Sequence, residues 1–426
     1  MVLVYAGFSG LWGVVATDFF QFFLALFGAV VVAIAAVASV GGMGSLVTQV
    51  QAQTEIDVLS FFPLTLGGDS GWLAWSETAG ITSSTFLGYV FIQWWAFRRS
   101  DGGGEFIQRL VATKSEAEAE KAAWFFNILH YVVRTWPWVV VALVAVVVYP
   151  DLEDPELGYP RLMLDFLPPA VLGLVVASLV AAFMSTVSTL INWGASYLTN
   201  DLYGRFMRPE ANQAELVLAG RIASVVVTGL GAIAAFYATD VATVFRLVIA
   251  IGTGPGLVLI LRWFWWRINA AAELAAMVAG LMIGFVTSVV PLLQIPDFGL
   301  RLLVTSGLTA VIWIAVMVLT PPESDETLDR FYRKVRPGGP GWWRQRSRTS
   351  LPPAQALDHD LKRVLAALLL LFGLMLGIGG FLLYQPLTGW VWIIIAGIGG
   401  FWLRKLGRFI PGMPRPGLED EGYDEA

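Results

Sequence analysis

The chain of 426 residues contains no cysteine and only two histidines, and charged residues make up only 14% of it. Without cysteine, it can form no disulfide and no thiolate metal site. Its apolar segments hold no clustered carboxylates, so there is little material for a metal centre or for acid–base catalysis. We therefore expect no enzyme activity. The basic residues are scattered among short loops rather than lining one face, which argues against nucleic-acid binding.

Long apolar runs dominate the sequence instead. Hydrophobic residues make up 57% of the chain and its mean hydropathy is +0.68, which is too apolar for a soluble protein of this size. Runs of about 20 apolar residues are typical of transmembrane helices. We predict an all-α integral membrane protein with about ten spans, near residues 9–40, 79–98, 124–149, 167–197, 215–238, 242–263, 270–293, 299–320, 363–384 and 387–404. No signal peptide is expected.

The loops between these spans alternate in charge. Most Lys and Arg residues fall in 98–121, 205–208, 262–267, 330–348 and 404–415. The alternate loops 41–78 and 149–165 are acidic and carry a single basic residue, Arg161. By the positive-inside rule, the basic loops and both ends of this chain lie on the cytoplasmic side. The predicted location is the cell (inner) membrane.

The stretch 179–203, LVAAFMSTVSTLINWGASYLTNDLY, concentrates hydroxyl side chains inside one apolar span. At 100° per residue, Ala182, Ser185, Thr186 and Thr189 share one helix face and Ser188 lies at its edge. Oxygen atoms on one face suit a hard cation such as Na⁺. The alternative is structural, because Ser and Thr in membrane helices also bond to their own i−4 carbonyl or join two helices.

Two further spans carry ionisable side chains. Asp18 lies in GVVATDFFQFF, where an ionised carboxylate should face the protein interior and have a partner, unless water reaches it near the cytoplasmic end. Asn127, His130 and Arg134 form a stripe on an otherwise apolar span. An intramembrane arginine favours an anionic or zwitterionic substrate, although His130 and Arg134 could instead brace a neighbouring helix.

Glycine-rich segments suggest irregular backbone at two places. IGTGPG (251–256) should break its helix, forming a hinge or gate beside a substrate path or a simple packing kink. The segment SDGGGEFIQR has no following GK[ST] and no preceding strand, so we exclude nucleotide binding. It is either an irregular helix exit at the inner mouth of the path or a plain turn. The residues predicted to bind solute or to gate its path are Trp94, Glu105, Asn127, Arg134, Arg246 and Thr253.

Four segments resemble the sodium:solute symporter family, in the family's order. They are LWGVVATDFFQF (11–22), GGGEFIQRLVATKSEAEAEKA (102–122), AAFMSTVSTLINWGASYLTNDLYGRF (181–206) and FYRKVRPGGPGWW (331–343). The resemblance implies a leucine-transporter-like bundle of inverted repeats. The chain opens on what resembles the fifth core helix, so we expect an N-terminally incomplete member in which the first four core helices are absent. The alternative is a genuinely shortened relative.

The resemblance also implies two cation sites. At the primary sodium site, Ala182 would contribute its backbone carbonyl, and Ser185 and Thr186 would contribute their hydroxyls. The remaining ligands would come from the broken first core helix. At a possible second sodium site, Asp18 would join Ser185, Ser188 and Thr189. Neutral oxygen dipoles can replace the hydration shell of Na⁺ without trapping the ion.

These observations predict sodium-coupled symport of a small organic solute by alternating access, with Na⁺ as the coupling ion. The alternatives are a proton-coupled carrier, with Asp18 as the proton site, and a transporter-like sensor module. The sequence leaves sugar, amino acid and carboxylate open as the solute class. The predicted division is a transporter core at 1–320, a cytoplasmic linker at 321–362, two accessory transmembrane helices at 363–410 and an acidic cytoplasmic tail at 411–426.

Overall fold

Helices dominate this computed structural model, which describes residues 2–68, 71–76, 78–96, 100, 103–238, 241–354 and 356–407. The helices are α1 (Val2–Ser39), α2 (Met43–Gln53), α3 (Ser83–Leu87), α4 (Trp94–Ala96), α5 (Gly104–Val111), α6 (Glu116–Asn127), α7 (Thr135–Val148), α8 (Gly158–Phe166), α9 (Pro169–Ser196), α10 (Gln213–Tyr237), α11 (Val241–Leu261), α12 (Ala270–Val289), α13 (Phe298–Leu319), α14 (Asp325–Val335), α15 (Trp343–Thr349), α16 (Leu357–Leu382) and α17 (Pro386–Leu406). The segments Gly88–Gln93, Ile128–Val133 and Tyr197–Met207 are π-helical, and Pro155–Leu157 is a 3₁₀ turn. An antiparallel hairpin pairs β1 (Leu64–Gly68) with β2 (Gly71–Trp75).

The long helices identify a multi-pass membrane protein. Within the described ranges, nine helices are long and apolar enough to cross a membrane. They correspond to nine of the ten predicted spans, and the remaining one, 79–98, is helical over 83–96. An α-helix over residues 83–96 would rise only about 21 Å, which is less than the hydrocarbon thickness of a bilayer. The prediction of an all-α membrane bundle is confirmed.

The chain divides into two compact units, which are described separately. The first comprises residues 1–59, 104–238 and 375–390. In it α1 packs along α9, and Gly28 allows the close approach: a Cβ there would lie 2.0 Å from Ser178 Oγ. The first unit also holds Trp136, whose indole N–H donates to the Met375 carbonyl at 2.9 Å. The second unit comprises 60–103, 239–374 and 391–426.

In the second unit, the predicted break at 251–256 is wrong, because α11 is helical throughout with Pro255 inside it. The glycines serve close packing of two helices instead. A Cβ on Gly254 would lie 2.5 Å from both the Ala276 carbonyl oxygen and the Gly280 Cα. Membrane helices tolerate an internal proline where packing compensates for the lost hydrogen bond. The glycines therefore favour an α11–α12 contact that keeps the helix intact.

The segment predicted as a linker, 321–362, contains α14 and α15. Leu328, Tyr332 and Trp342 form a buried cluster there. Gly341 lies against the connection between α11 and α12, where its N–H donates to the Phe264 carbonyl at 2.9 Å. The described part of this segment is thus folded. The predicted tail 411–426 lies outside the described residues. The domain division itself stays a prediction.

Asp297, which the sequence did not single out, joins α13 to the start of α3. Its carboxylate accepts hydrogen bonds from Thr82 Oγ1 at 2.6 Å, Ser84 Oγ at 2.9 Å and Thr85 Oγ1 at 3.2 Å. It also accepts the Leu300 N–H at 2.7 Å, as the N-cap of α13. These bonds, with that from Thr82 the strongest, lower the pKa of Asp297 below its ordinary value.

Asp297→Ala is therefore expected to reduce the free energy of unfolding by about 1–2 kcal/mol. Because the folded pKa lies below the unfolded one, the ionised carboxylate stabilises the fold above about pH 4 and loses that effect as pH falls through the folded pKa. The gap between wild type and variant should stay constant from about pH 5 to 8 and shrink only in acid. Thermal melts in detergent across this range measure it. A gap that already closes near neutral pH would contradict the assignment.

Candidate functional site

The centre of the candidate site is the carboxylate of Asp18, on the α1 face that packs against α9. Ser185 Oγ donates to Asp18 Oδ1 at 2.6 Å, and Thr189 Oγ1 lies 3.5 Å from Oδ2. The helical periodicity of α9 explains the arrangement, because residues four apart lie on one face. The structure thus brings together three residues that the sequence assigned to a possible cation site. The carboxylate also has the interior partners that a charge in an apolar span requires.

Sequence reasoning missed the positively charged partner of this carboxylate. Arg109 Nη2, on α5, lies 3.0 Å from Asp18 Oδ2 and 3.0 Å from Thr189 Oγ1. The side chains of Arg109 and Asp18 are 29% and 21% exposed, so water still reaches the pair. The sequence did contain an indication of this pair. A carboxylate in a membrane span needs a partner, and Arg109 lies in GGGEFIQR, one of the segments that resemble the family.

The other hydroxyls of α9 bond within their own helix. Ser188 is fully buried and donates to the Ser185 carbonyl at 3.0 Å. Thr186 is exposed and donates to the Ala182 carbonyl at 3.2 Å. These are the local bonds that the structural alternative anticipates. They direct the hydroxyl hydrogens of Ser188 and Thr186 toward carbonyl oxygens of their own helix.

The predicted polar stripe of Asn127, His130 and Arg134 lies at and beside the π-helical segment Ile128–Val133. Asn127 Nδ2 donates to the Ala123 carbonyl at 2.7 Å, and Arg134 Nη1 lies 3.3 Å from His130 Nδ1. The His130 ring stacks on Phe126 with centroids 4.9 Å apart. Arg134 thus hydrogen-bonds along its own helix, through the irregular segment Ile128–Val133. Single π-helical turns inside α-helices frequently occur at functional sites.

The remaining predicted gating residues have varied surroundings. In the second unit, Thr253 is buried and donates to the Ile249 carbonyl at 2.9 Å. The Arg246 guanidinium lies 6.0 Å from the centre of the Phe298 ring, and Trp94 is 62% exposed. In the first unit, Glu105 belongs to α5, and its side chain lies outside the described part of the structure. The assignment of these residues to gating stays a prediction.

Comparison with known proteins gives a consistent family match. The model of the sodium:solute symporter family matches residues 1–280. The sodium/glucose cotransporter of Vibrio parahaemolyticus is 25% identical over 311 residues, covering 68% of this chain and 56% of the relative. The osmoregulated proline transporter of Bacillus subtilis is 25% identical over 288 residues, covering 66% and 54%. The human sodium/myo-inositol cotransporter 2 is 26% identical over 215 residues, covering 44% and 31%.

The match to a solved structure concerns the fold. That structure is described as the substrate-bound outward-open state of a Na⁺-coupled sialic acid symporter. It aligns with a TM-score of 0.56 at 19% sequence identity, covering 75% of this chain and 65% of the other. The chain spans about half the length of the Vibrio and Bacillus relatives described above, at 56% and 54%.

Proposed function

This chain belongs to the sodium:solute symporter family, a family of transporters rather than enzymes, and on that premise we propose that it moves a small organic solute across the cytoplasmic membrane together with Na⁺. The single observation that carries the proposal beyond family membership is the α1–α9 cluster. There, Ser185 and Thr189 converge on the Asp18 carboxylate within a membrane bundle. An ionised carboxylate is energetically costly in a membrane span and is therefore a functional-site candidate by default. The two hydroxyls beside it support a cation-binding role.

In the proposed mechanism, the α9 hydroxyls and carbonyls bind the coupling ion. Ala182, Ser185 and Thr186 contribute neutral oxygens to the primary sodium site, and Asp18, Ser188 and Thr189 form a second one with Ser185. Na⁺ binding favours the outward-open state in which the solute site is formed, and both ligands together permit closure. Solute and ion affinities are therefore reciprocally linked, so each raises the affinity for the other.

The proposed orientation places the basic loops and both ends of this chain in the cytoplasm. The argument is the contrast between the basic loops and the acidic loops 41–78 and 149–165. On this orientation α5 and its Arg109 lie toward the cytoplasmic side, and Asp297 lies toward the opposite side. Labelling of single introduced cysteines in intact cells tests this orientation, because the chain contains no natural cysteine.

The solute we propose carries a carboxylate, because Arg134 places a guanidinium within a membrane span. The names of the relatives supply a suitable panel: sialic acid and proline carry a carboxylate, whereas glucose and myo-inositol are neutral. Arg134→Gln is expected to reduce uptake of a carboxylate solute by about ten- to a hundredfold, the effect of one lost charge-assisted hydrogen bond.

Competition uptake with this panel measures the effect of Arg134→Gln, and Arg208→Gln is the control. Arg208 lies in the same unit and pairs at the surface with Glu215 at 3.1 Å. If Arg134→Gln lowered uptake of neutral and carboxylate solutes equally, the specificity assignment would fail and a structural role would replace it.

Sodium binding is tested by melting the purified full-length protein in detergent with NaCl or KCl at equal ionic strength. A ligand that binds only the folded state adds RT ln(1+[L]/Kd), about 2.7 kcal/mol at 100 Kd. We expect a higher melting temperature in NaCl. Equal melting in both salts would contradict sodium coupling. A pH-dependent shift that Asp18→Asn removes would then favour a proton-coupled carrier.

A further inference from the structure

The Arg109 guanidinium occupies the oxygens that a second cation at Asp18 would need. Its Nη2 atom lies 3.0 Å from Asp18 Oδ2 and 3.0 Å from Thr189 Oγ1. The other carboxylate oxygen, Oδ1, accepts the Ser185 hydroxyl at 2.6 Å. A sodium ion coordinated by Asp18 and Thr189 would share these oxygens with a positive charge already in contact with them. The two cations therefore exclude each other.

Two properties favour Arg109 over Na⁺ at these oxygens: its weak hydration and its attachment to the same chain. A guanidinium is more weakly hydrated than a compact cation and therefore gives up less hydration when it enters the site. Because α5 belongs to the same chain, the guanidinium is present at an effective concentration in the millimolar range or above. Sodium therefore competes with a cation that is always present beside the site. With side chains 29% and 21% exposed, the pair can open to solvent without unfolding of the bundle.

The ion pair also fixes a helix. Arg109 lies on the short helix α5 and binds side chains of both α1 and α9. Gly104 at the start of α5 packs closely against α9, since a Cβ there would lie 2.8 Å from Trp193 Nε1. Loss of the guanidinium contact would leave this short helix with fewer restraints. Cation occupancy at Asp18 is thus linked to the docking of α5.

We propose that Arg109 is a tethered competitor at the second sodium site: Na⁺ binds Asp18 and Thr189 only when the guanidinium has left, so that occupation of this site and docking of α5 are mutually exclusive. The inference rests on the proposed sodium symport and adds a regulatory step to it. Sodium that reaches Asp18 would release α5, which lies on the proposed cytoplasmic side.

Sodium titration of five full-length proteins tests the competition: wild type, Arg109→Ala, Arg109→Lys, Asp18→Asn and the double variant Arg109→Ala with Asp18→Asn. Intrinsic tryptophan fluorescence follows NaCl additions, with choline chloride keeping ionic strength constant. Arg109→Ala is expected to lower the half-saturating sodium concentration of the Asp18-dependent component about tenfold, because the tethered competitor is gone. The double variant should lose this gain. Arg109→Lys keeps a tethered positive charge, so its half-saturating sodium concentration should return toward the wild-type value.

A merely structural role for Arg109 predicts something different. Arg109→Ala would then lower the melting temperature and leave the sodium midpoint unchanged, and this outcome would overturn the proposal. Arg208→Ala is the matched control, because it removes a surface ion pair in the same unit. A sodium response that is present but insensitive to Arg109 refutes only the competition. Complete absence of a sodium response refutes sodium coupling as well.

Docking of α5 is measured independently with spin labels. Val111→Cys at the end of α5 and Phe206→Cys beyond α9 are 78% and 72% exposed and lie in the same unit. The natural chain contains no cysteine, so only these two sites are labelled. We expect the distance distribution to broaden on addition of Na⁺, and to be broad without Na⁺ in the Asp18→Asn background. A narrow distribution under every condition would contradict release of α5.

Discussion

Ser185→Ala is expected to weaken Na⁺ binding by about ten- to a hundredfold and to reduce solute uptake accordingly when sodium is limiting. Ser185 belongs to both proposed sodium sites, and its hydroxyl donates to Asp18 at 2.6 Å. A hydrogen bond or ligand to a charged group contributes about 1.5–3 kcal/mol, and 1.4 kcal/mol corresponds to a factor of ten. The substitution removes one oxygen ligand and leaves the carboxylate less well solvated.

Sodium dependence of initial uptake rates in proteoliposomes measures the effect of Ser185→Ala. Thr228→Ala is the control, because Thr228 is another membrane hydroxyl of the same unit that donates to its own i−4 carbonyl, at 2.7 Å from Ser224 O. Thr186→Ala should resemble Ser185→Ala in weakening sodium, without disturbing the Asp18 hydrogen bond. If Ser185→Ala and Thr228→Ala had the same sodium midpoint, the α9 oxygens would not be sodium ligands.

Gly254→Ala is expected to destabilise the second unit severely, by about 3 kcal/mol or more. The added Cβ would lie 2.5 Å from the Ala276 carbonyl oxygen and from the Gly280 Cα, which are backbone atoms of α12 that no rotamer change can move aside. Relief requires α11 and α12 to separate. That separation would disturb the adjoining core of Val258, Ala272 and Trp313.

Detergent-solubilised yield and melting temperature report the outcome for Gly254→Ala. Gly307→Ala on α13 is the matched control, since no atom lies within 4 Å of a Cβ at that position. The control should be neutral or stabilising by up to about 1 kcal/mol, because alanine is the better helix former. Similar melting temperatures for the two variants would show that the α11–α12 contact is looser than described.

The α9 side of the site could be predicted from the sequence for a simple physical reason. Ser185 and Thr189 are four residues apart in one apolar span, and this helical spacing puts them on the same face whatever surrounds the helix. Asp18 could be predicted equally well, since a carboxylate in a membrane span needs interior partners. Local chemistry was sufficient for both.

The identity of Asp18's cationic partner could not be predicted in this way. Arg109 lies 91 residues further along the chain on the short helix α5, in a predicted cytoplasmic loop where an arginine is common. Only the tertiary packing of α5 brings its guanidinium to α1 and α9. The same limitation explains the absence of Asp297 from the predictions, because its three hydroxyl partners lie more than 200 residues earlier.

The IGTGPG segment shows how tertiary packing overrides local propensity. Glycine and proline destabilise an isolated helix, so a break at 251–256 was the natural expectation. In the structure, the absent side chain of Gly254 lets α12 approach α11 closely, and the helix continues past Pro255. The residues that weaken the helix locally are those that allow its main packing contact.

Sodium coupling is tested most directly by solute accumulation in proteoliposomes containing the full-length protein. Three gradients are compared with the same solute panel: inward Na⁺, inward K⁺ and inward H⁺ without sodium. The account predicts transient accumulation above equilibrium only under the Na⁺ gradient, abolished by a sodium ionophore and weakened by Ser185→Ala. Accumulation driven by the H⁺ gradient in the absence of sodium would contradict the account.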